Sequence, residues 1–145
     1  MKKKQIVSAL LAAVLMTGSL SSVASAADLD SAITETVTPR YEIAGNPLSM
    51  ITVNGTTITC RSSVSGDAVK ISCVMTLEKY WGLWIWNEVE NATWTNTVNL
   101  NNIDVRHYKY NAESGTYRLK TEFTLTDSKG VSETITIYSD EDTVS

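Results

Sequence analysis

The 145 residues hold one histidine and two cysteines. With the histidine distant in sequence from both cysteines they fall short of a zinc site, which takes three or four clustered ligands, and His107 with its neighbours Asp104, Arg106 and Tyr108 forms no nucleophile, base and orienting set. There is no Gly-rich phosphate loop. Past residue 26 no stretch stays apolar for 18 residues, so no later membrane-spanning helix is expected. Cations are scarce as well. Beyond residue 26, nine Lys and Arg stand against sixteen Asp and Glu, a formal charge of −7 where the whole chain has −4. An acidic balance of that size argues against nucleic acid or an anionic membrane as a partner. No cofactor, metal or catalytic residue is expected from this composition. What is abundant is Thr, with 18 after residue 26, together with Val and Ile, a mixture that favours strands.

The first 26 residues have the three parts of an export signal. Lys2, Lys3 and Lys4 form a positive start, residues 6–16 an apolar run, and Ala24-Ser25-Ala26 a small-residue cleavage site. The apolar run is too short to span a bilayer comfortably, which favours a removable signal over an anchor. Cleavage after Ala26 leaves about 119 residues, enough for one domain with its own core. No Cys follows the signal to carry a lipid, and the acidic end Asp140-Glu141-Asp142-Thr143-Val144-Ser145 has no hydrophobic anchor. The product is expected to be secreted and extracellular, with no membrane anchor. The Lys-rich start and the Ser/Ala-rich end resemble signals of Gram-positive bacteria.

Residues 27–48 mix Asp, Glu, Thr and two prolines with no apolar period and read as a flexible linker. From Ser49 onward apolar and polar residues alternate, and no stretch has the spacing of an amphipathic helix. Strands are expected over 50–53, 56–64, 69–79, 83–89, 94–100, 106–110, 116–126 and 131–139. The last two form a hairpin around Asp127-Ser128-Lys129-Gly130, where Gly supplies a positive φ. Strands at this spacing indicate an all-β sandwich or barrel over residues 49–140, followed by an acidic tail, 141–145. A calcium-binding role for that tail competes with plain solvation.

In an exported chain two cysteines are read first as a disulfide. Ile58, Cys60, Ser62 and Val64 share one strand face, as do Val69, Ile71, Cys73, Met75 and Leu77. If Ser65-Gly66-Asp67-Ala68 is a hairpin loop, Cys60 falls directly opposite Cys73, within bonding reach. So short a closed loop stabilises by about 3 kcal/mol in the chain-entropy picture. Cys60 and Cys73 are therefore expected to form a structural bridge.

Ala112-Glu113-Ser114-Gly115-Thr116-Tyr117-Arg118-Leu119 resembles the start of strand F in immunoglobulin-like domains. The resemblance implies an immunoglobulin-like antiparallel β-sandwich of about seven strands, in which Tyr117 is a tyrosine corner that bonds back to the upstream backbone. It further implies Cys73 on strand B and Trp84 or Trp86 as the core Trp of strand C. Leu119 stands where antibody domains carry their second core Cys, so their inter-sheet bridge is not implied. The chain also resembles an uncharacterised family of small secreted Firmicutes proteins, chiefly of Clostridia. The likeness rests on Leu77-Glu78-Lys79 before Trp84, on Gly115-Thr116-Tyr117-Arg118 and on Gly130-Val131-Ser132-Glu133, and it implies export and fold but no activity.

The one concentration of candidate site residues is aromatic. Tyr80, Trp81, Trp84, Trp86 and Trp94 fall within 15 residues. Alternation sets Trp84 and Trp86 with Glu88 on one face of their strand and Leu83, Ile85 and Val89 on the other. If the second face is core, the first is an exposed ledge that fits an extracellular protein, since Trp and Tyr dominate interface energetics. The same ledge beside Asn87, Glu88, Glu90 or Asn91 also fits a glycan. In the third reading Trp84 or Trp86 is the core Trp, and the domain is a secreted antigen or envelope component without a discrete ligand. Trp81, next to Gly82 in the expected hairpin turn, is the ring expected to be exposed whichever face is buried. Glu88 and Glu90 make a conceivable carboxylate pair for glycoside cleavage, but so small a domain rarely builds the cleft. The overall expectation is a monomeric, non-catalytic binding domain.

Overall fold

The structure, a computed structural model, describes residues 41–145. The export signal and the greater part of the linker lie outside the described residues. Alternation of apolar with polar residues, rich in Thr, Val and Ile, gives strands with one buried face. Eight form: β1 (Ala44–Asn54), β2 (Thr57–Gly66), β3 (Lys70–Gly82), β4 (Ile85–Val98), β5 (Asn102–Lys109), β6 (Gly115–Thr126), β7 (Ser132–Tyr138) and β8 (Asp142–Val144). There is no helix among the described residues. Every pairing is antiparallel. One sheet has the order β1-β2-β5 and the other β4-β3-β6-β7, with β8 also paired to β6. This is an immunoglobulin-like β-sandwich, in which β1, β2 and β5 stand as strands A, B and E and β3, β4, β6 and β7 as C, C′, F and G.

The inner faces meet in one core. Ile58, Cys60 and Val64 come from the first sheet, and Ile71, Cys73, Met75, Leu77, Leu119, Phe123 and Leu125 from the second, all buried. Each large side chain among them contributes roughly 1.5–3 kcal/mol relative to exposure. Hydroxyls cross the same core. Thr121 Oγ1 of β6 lies 2.7 Å from Ser62 Oγ of β2 and 2.8 Å from Ser49 Oγ of β1, and Ser49 donates to the Leu119 carbonyl at 3.2 Å. Thr121 and Ser62 are fully buried, yet each is bonded, so they join the sheets without an unpaired polar group.

The segment between β2 and β3 is not a hairpin, which corrects the expected cysteine pairing. Its amides hand the chain from one sheet to the other: Gly66 N–H donates to Asn101 O at 2.9 Å and Asp67 N–H to Ile43 O at 2.9 Å, but Val69 N–H reaches Thr126 O of β6 at 2.8 Å. A side chain at Gly66 would strike the Ile43 carbonyl, so only glycine lets the crossing pass so close to β1. Cys60 therefore registers with Ile51 and His107, and Cys73 with Asn96 and Phe123. Both cysteines are free and buried. The strand letters shift too: Cys60 lies on strand B, Cys73 on strand C.

The sandwich also runs further at both ends than the sequence pattern suggests. β1 begins at Ala44 because Glu133 of β7 clamps the incoming chain, its carboxylate accepting from the backbone N–H groups of Glu42, Ile43 and Ala44 at 3.0, 3.0 and 2.9 Å. At the other end the acidic tail includes a strand. β8 pairs with the start of β6, Val144 is buried, and Asp142 accepts from Val53 N–H at 2.9 Å. The hairpin at Asp127-Ser128-Lys129-Gly130 closes as its residues indicate, with Asp127 Oδ1 accepting from the N–H groups of Lys129 and Val131.

Candidate functional site

Between residues 83 and 100 the pattern suggested two strands, but the chain makes a turn and then one long strand, β4. Gly82 pairs with Ile85, so Leu83 and Trp84 alone form the turn, at φ 52° and 67°. Two consecutive positive φ values are what a type I′ hairpin demands, a conformation suited to Asn-Gly and uncommon for bulky residues. The turn throws its side chains outward. Trp84 is 91% exposed, Leu83 87%, Trp81 76% and Ile85 47%. Neither expected face of this segment is core, and no Trp takes the strand C core position, where Cys73 and Met75 lie instead.

The remaining candidate aromatics have structural partners. Trp86 pairs with Tyr80, their ring centroids 5.2 Å apart. The Arg118 guanidinium lies over both the Trp86 ring, at 4.2 Å, and the Tyr138 ring, at 4.3 Å, while its Nε donates to Glu78 Oε2 at 2.6 Å. The stack covers Glu78, whose buried carboxylate is thereby paired. Trp94 lies parallel to His107 at 5.0 Å, and Asn96 Nδ2 is 2.9 Å from His107 Nε2. Burial lowers the His107 pKa, favouring the neutral ring. These contacts fasten edge strands β4 and β5 and give His107 a packing role. Of the five candidate aromatics, only Trp81 and Trp84 present most of a ring to solvent.

Beneath Trp81 is a cleft of about 380 Å³. Asn87, Lys79 and Tyr117 occupy one row across β4, β3 and β6, and the cleft lies over that row, beside Lys109 at the end of β5 and the loop 111–113. Two features open it. A special bulge with three extra residues places 89–92 opposite Leu77 alone, with Asn91 at φ 56°, and brings Val89 to the floor and Glu90 to the rim. The loop 111–113 is held by Tyr117, whose buried hydroxyl donates to the Glu113 carbonyl at 2.6 Å, as a tyrosine corner does.

The floor is apolar, from Ala112, Val89 and the Tyr117 ring, whereas the rim carries charges and amides. Lys79 Nζ donates to Glu113 Oε2 at 3.0 Å, and this bond raises the Lys79 pKa. The Lys79 stem passes so close to Gly115 that a Cβ there would collide with it. Lys109 Nζ donates to the Glu90 carbonyl at 3.0 Å. Asn87, Asn111 and Glu88 complete the rim. Such a cleft can seat an apolar group on its floor and satisfy polar groups around it. Glu88 and Glu90 both line it, but the sequence signal for the cleft itself is slight, since Asn111, Ala112 and Lys109 come from another part of the chain.

No protein-family model and no curated protein matches the chain. Among the described residues there is no group of three or more His, Cys, Asp or Glu placed to hold a metal ion.

Proposed function

We propose that the chain is an exported, monomeric, non-catalytic binding domain that recognises an extracellular protein through the cleft below Trp81. Export rests on the signal read from residues 1–26, and the resemblance to small secreted Firmicutes proteins agrees with it. The observation that carries the binding reading is Trp81. A mostly exposed indole projects at the mouth of a cleft with an apolar floor and a polar rim, the arrangement of a contact surface with a central aromatic anchor. The reading without a discrete ligand is weaker, because it gives no reason to hold Trp81 and Trp84 in water.

A glycan is the second reading, favoured by one specific feature. Asn87 and Asn111 stand on the same rim as the Trp81 ring, so a sugar stacked on the indole has amide groups nearby for its hydroxyls.

The test presents the chain from residue 27 onward, as wild type and as Trp81→Ala, to a panel of purified extracellular proteins and to a glycan array. The protein reading expects one specific protein contact that weakens at least tenfold in the variant at unchanged thermal midpoint. Retention only on glycans selects the second reading. Equal binding by wild type and variant on every surface removes both.

A further inference from the structure

We infer that the apex of the β3–β4 hairpin, Leu83 and Trp84 with Ile85 behind them, is a shallow docking element for a zwitterionic phospholipid surface. It adjoins the cleft, whose charged rim stands behind it, and goes beyond the binding reading above. Residues 80–86, Tyr-Trp-Gly-Leu-Trp-Ile-Trp, contain no charged side chain. They are rich in the amphipathic rings that settle at membrane interfaces and in the aliphatic groups that enter the acyl boundary.

The shape of the apex points to lipid. Leu83 and Trp84 stand at the end of a projecting two-residue turn, with the exposed Trp81 and Ile85 just behind. A protein partner would need a socket surrounding this projection, whereas a bilayer surrounds it with no matched shape. The backbone is suited to the same environment. Gly82 and Ile85 are paired and Trp84 N–H faces the Tyr80 hydroxyl at 3.4 Å, and the remaining backbone groups of the turn, those of Leu83 and the Trp84 carbonyl, are met by the hydrated headgroup region that a shallow docking reaches.

Charge selects the headgroup. Lys79 lies four residues from Leu83, about 13 Å along an extended strand. Insertion of the apex by about 5–10 Å therefore brings the collar of Lys79, Lys109, Glu88, Glu90 and Glu113 to headgroup level. That collar carries both signs, with the Lys79 and Glu113 pair at its centre, and it complements headgroups that present both phosphate and ammonium. The acidic balance of nine Lys and Arg against sixteen Asp and Glu beyond residue 26 disfavours anionic lipid. Leu83 and Trp84 keep a strained turn that Asn-Gly would form more easily, and outliers of this kind cluster where a surface is used.

The experiment uses the chain from residue 27 with phosphatidylcholine vesicles, read by co-sedimentation and by tryptophan emission. The proposal expects co-sedimentation, a blue shift of emission and quenching by brominated chains. It expects at least tenfold weaker binding for Leu83→Asn/Trp84→Gly, a pair of changes that keeps the turn, and weaker binding as phosphatidylserine is added. Val131→Asn, an exposed apolar residue in the β6–β7 turn at the opposite end of the same sheet, serves as a comparison and retains the vesicle binding. The proposal is overturned if wild type stays in the supernatant at millimolar lipid, if the double variant binds equally, or if only anionic vesicles are bound. It is equally overturned if the apex instead mediates self-association that leaves the vesicles untouched.

Discussion

Leu83 and Trp84 adjoin at the end of the β3–β4 hairpin, both at positive φ and both almost fully exposed. Neither gains core contacts in return for its conformation. Left-handed backbone costs an ordinary L-residue roughly 1–2 kcal/mol, and Asn and Gly much less. Replacing the pair by Asn-Gly is thus expected to raise stability by about 1–2 kcal/mol, read as a higher denaturant midpoint at unchanged slope. The same variant loses the apex as a contact surface. A midpoint equal to or below that of wild type would show that the turn is not strained.

Tyr117 links the fold to the cleft. Its hydroxyl bonds the Glu113 carbonyl at 2.6 Å, and the Glu113 side chain holds Lys79 across the rim. Tyr117→Phe removes one buried hydrogen bond and is expected to destabilise by about 1 kcal/mol. Amide exchange in the loop 111–113 should quicken at the same time. If both midpoint and exchange match wild type, the loop is held by something else.

Glu133 makes the fold acid-sensitive. Burial raises its pKa, but the N–H donors of Ala44, Glu42 and Ile43 outweigh that effect, and the net shift is downward from 4.5. A carboxyl with a depressed folded-state pKa binds protons less readily folded than unfolded. Its stabilisation is fully present above the unfolded value and is lost as pH falls through the folded value. Glu133→Gln should therefore lower stability at pH 7, by up to about 1 kcal/mol once solvent screening is allowed for, and flatten the loss of stability expected below pH 4.5. Unfolding midpoints measured from pH 7 to pH 2 decide this. Parallel curves for wild type and variant count against the clamp.

Cys60 and Cys73 are unbonded and buried between the sheets, and burial pushes both thiols up to about 12. Neither thiolate nor access is available in the folded state. Iodoacetamide at pH 8 should leave both unmodified in native protein and modify both in denaturant without reductant. Two masses of label in the native state contradict the burial. No label in denaturant contradicts the free thiols.

These residues show where a linear reading succeeds and where it fails. Alternation from Ile58 to Leu77 sets Ile58 and Cys60 on one face of their strand and Ile71, Cys73 and Met75 on one face of the next, and both faces are core, because a period of two is a local property of the backbone; Val69, ahead of β3, is exposed. It could not tell a hairpin from a crossing. That difference lies in the amides of Gly66, Asp67 and Val69, whose partners are 35 residues or more away or in the approach to β1. The segment 83–89 misled for a related reason. Leu-Trp carries no turn signal, and the hairpin register across Tyr80 and Trp86 overrides local preference. Tyr117 was legible because a tyrosine corner is a local motif. The cleft was not, since its rim joins β3, β4, β5 and the loop before β6.

We place function on the exposed aromatic end of the β3–β4 hairpin, and the order in which the four tryptophans oxidise tests that most directly. Radical footprinting of the folded chain, with peptides resolved by mass, reads each ring separately. Trp84 and Trp81 are predicted to oxidise several-fold faster than Trp86, under Arg118, and Trp94, against His107. Protection of Trp84 and Trp81 to the level of Trp94 in the free, monomeric chain would contradict the account.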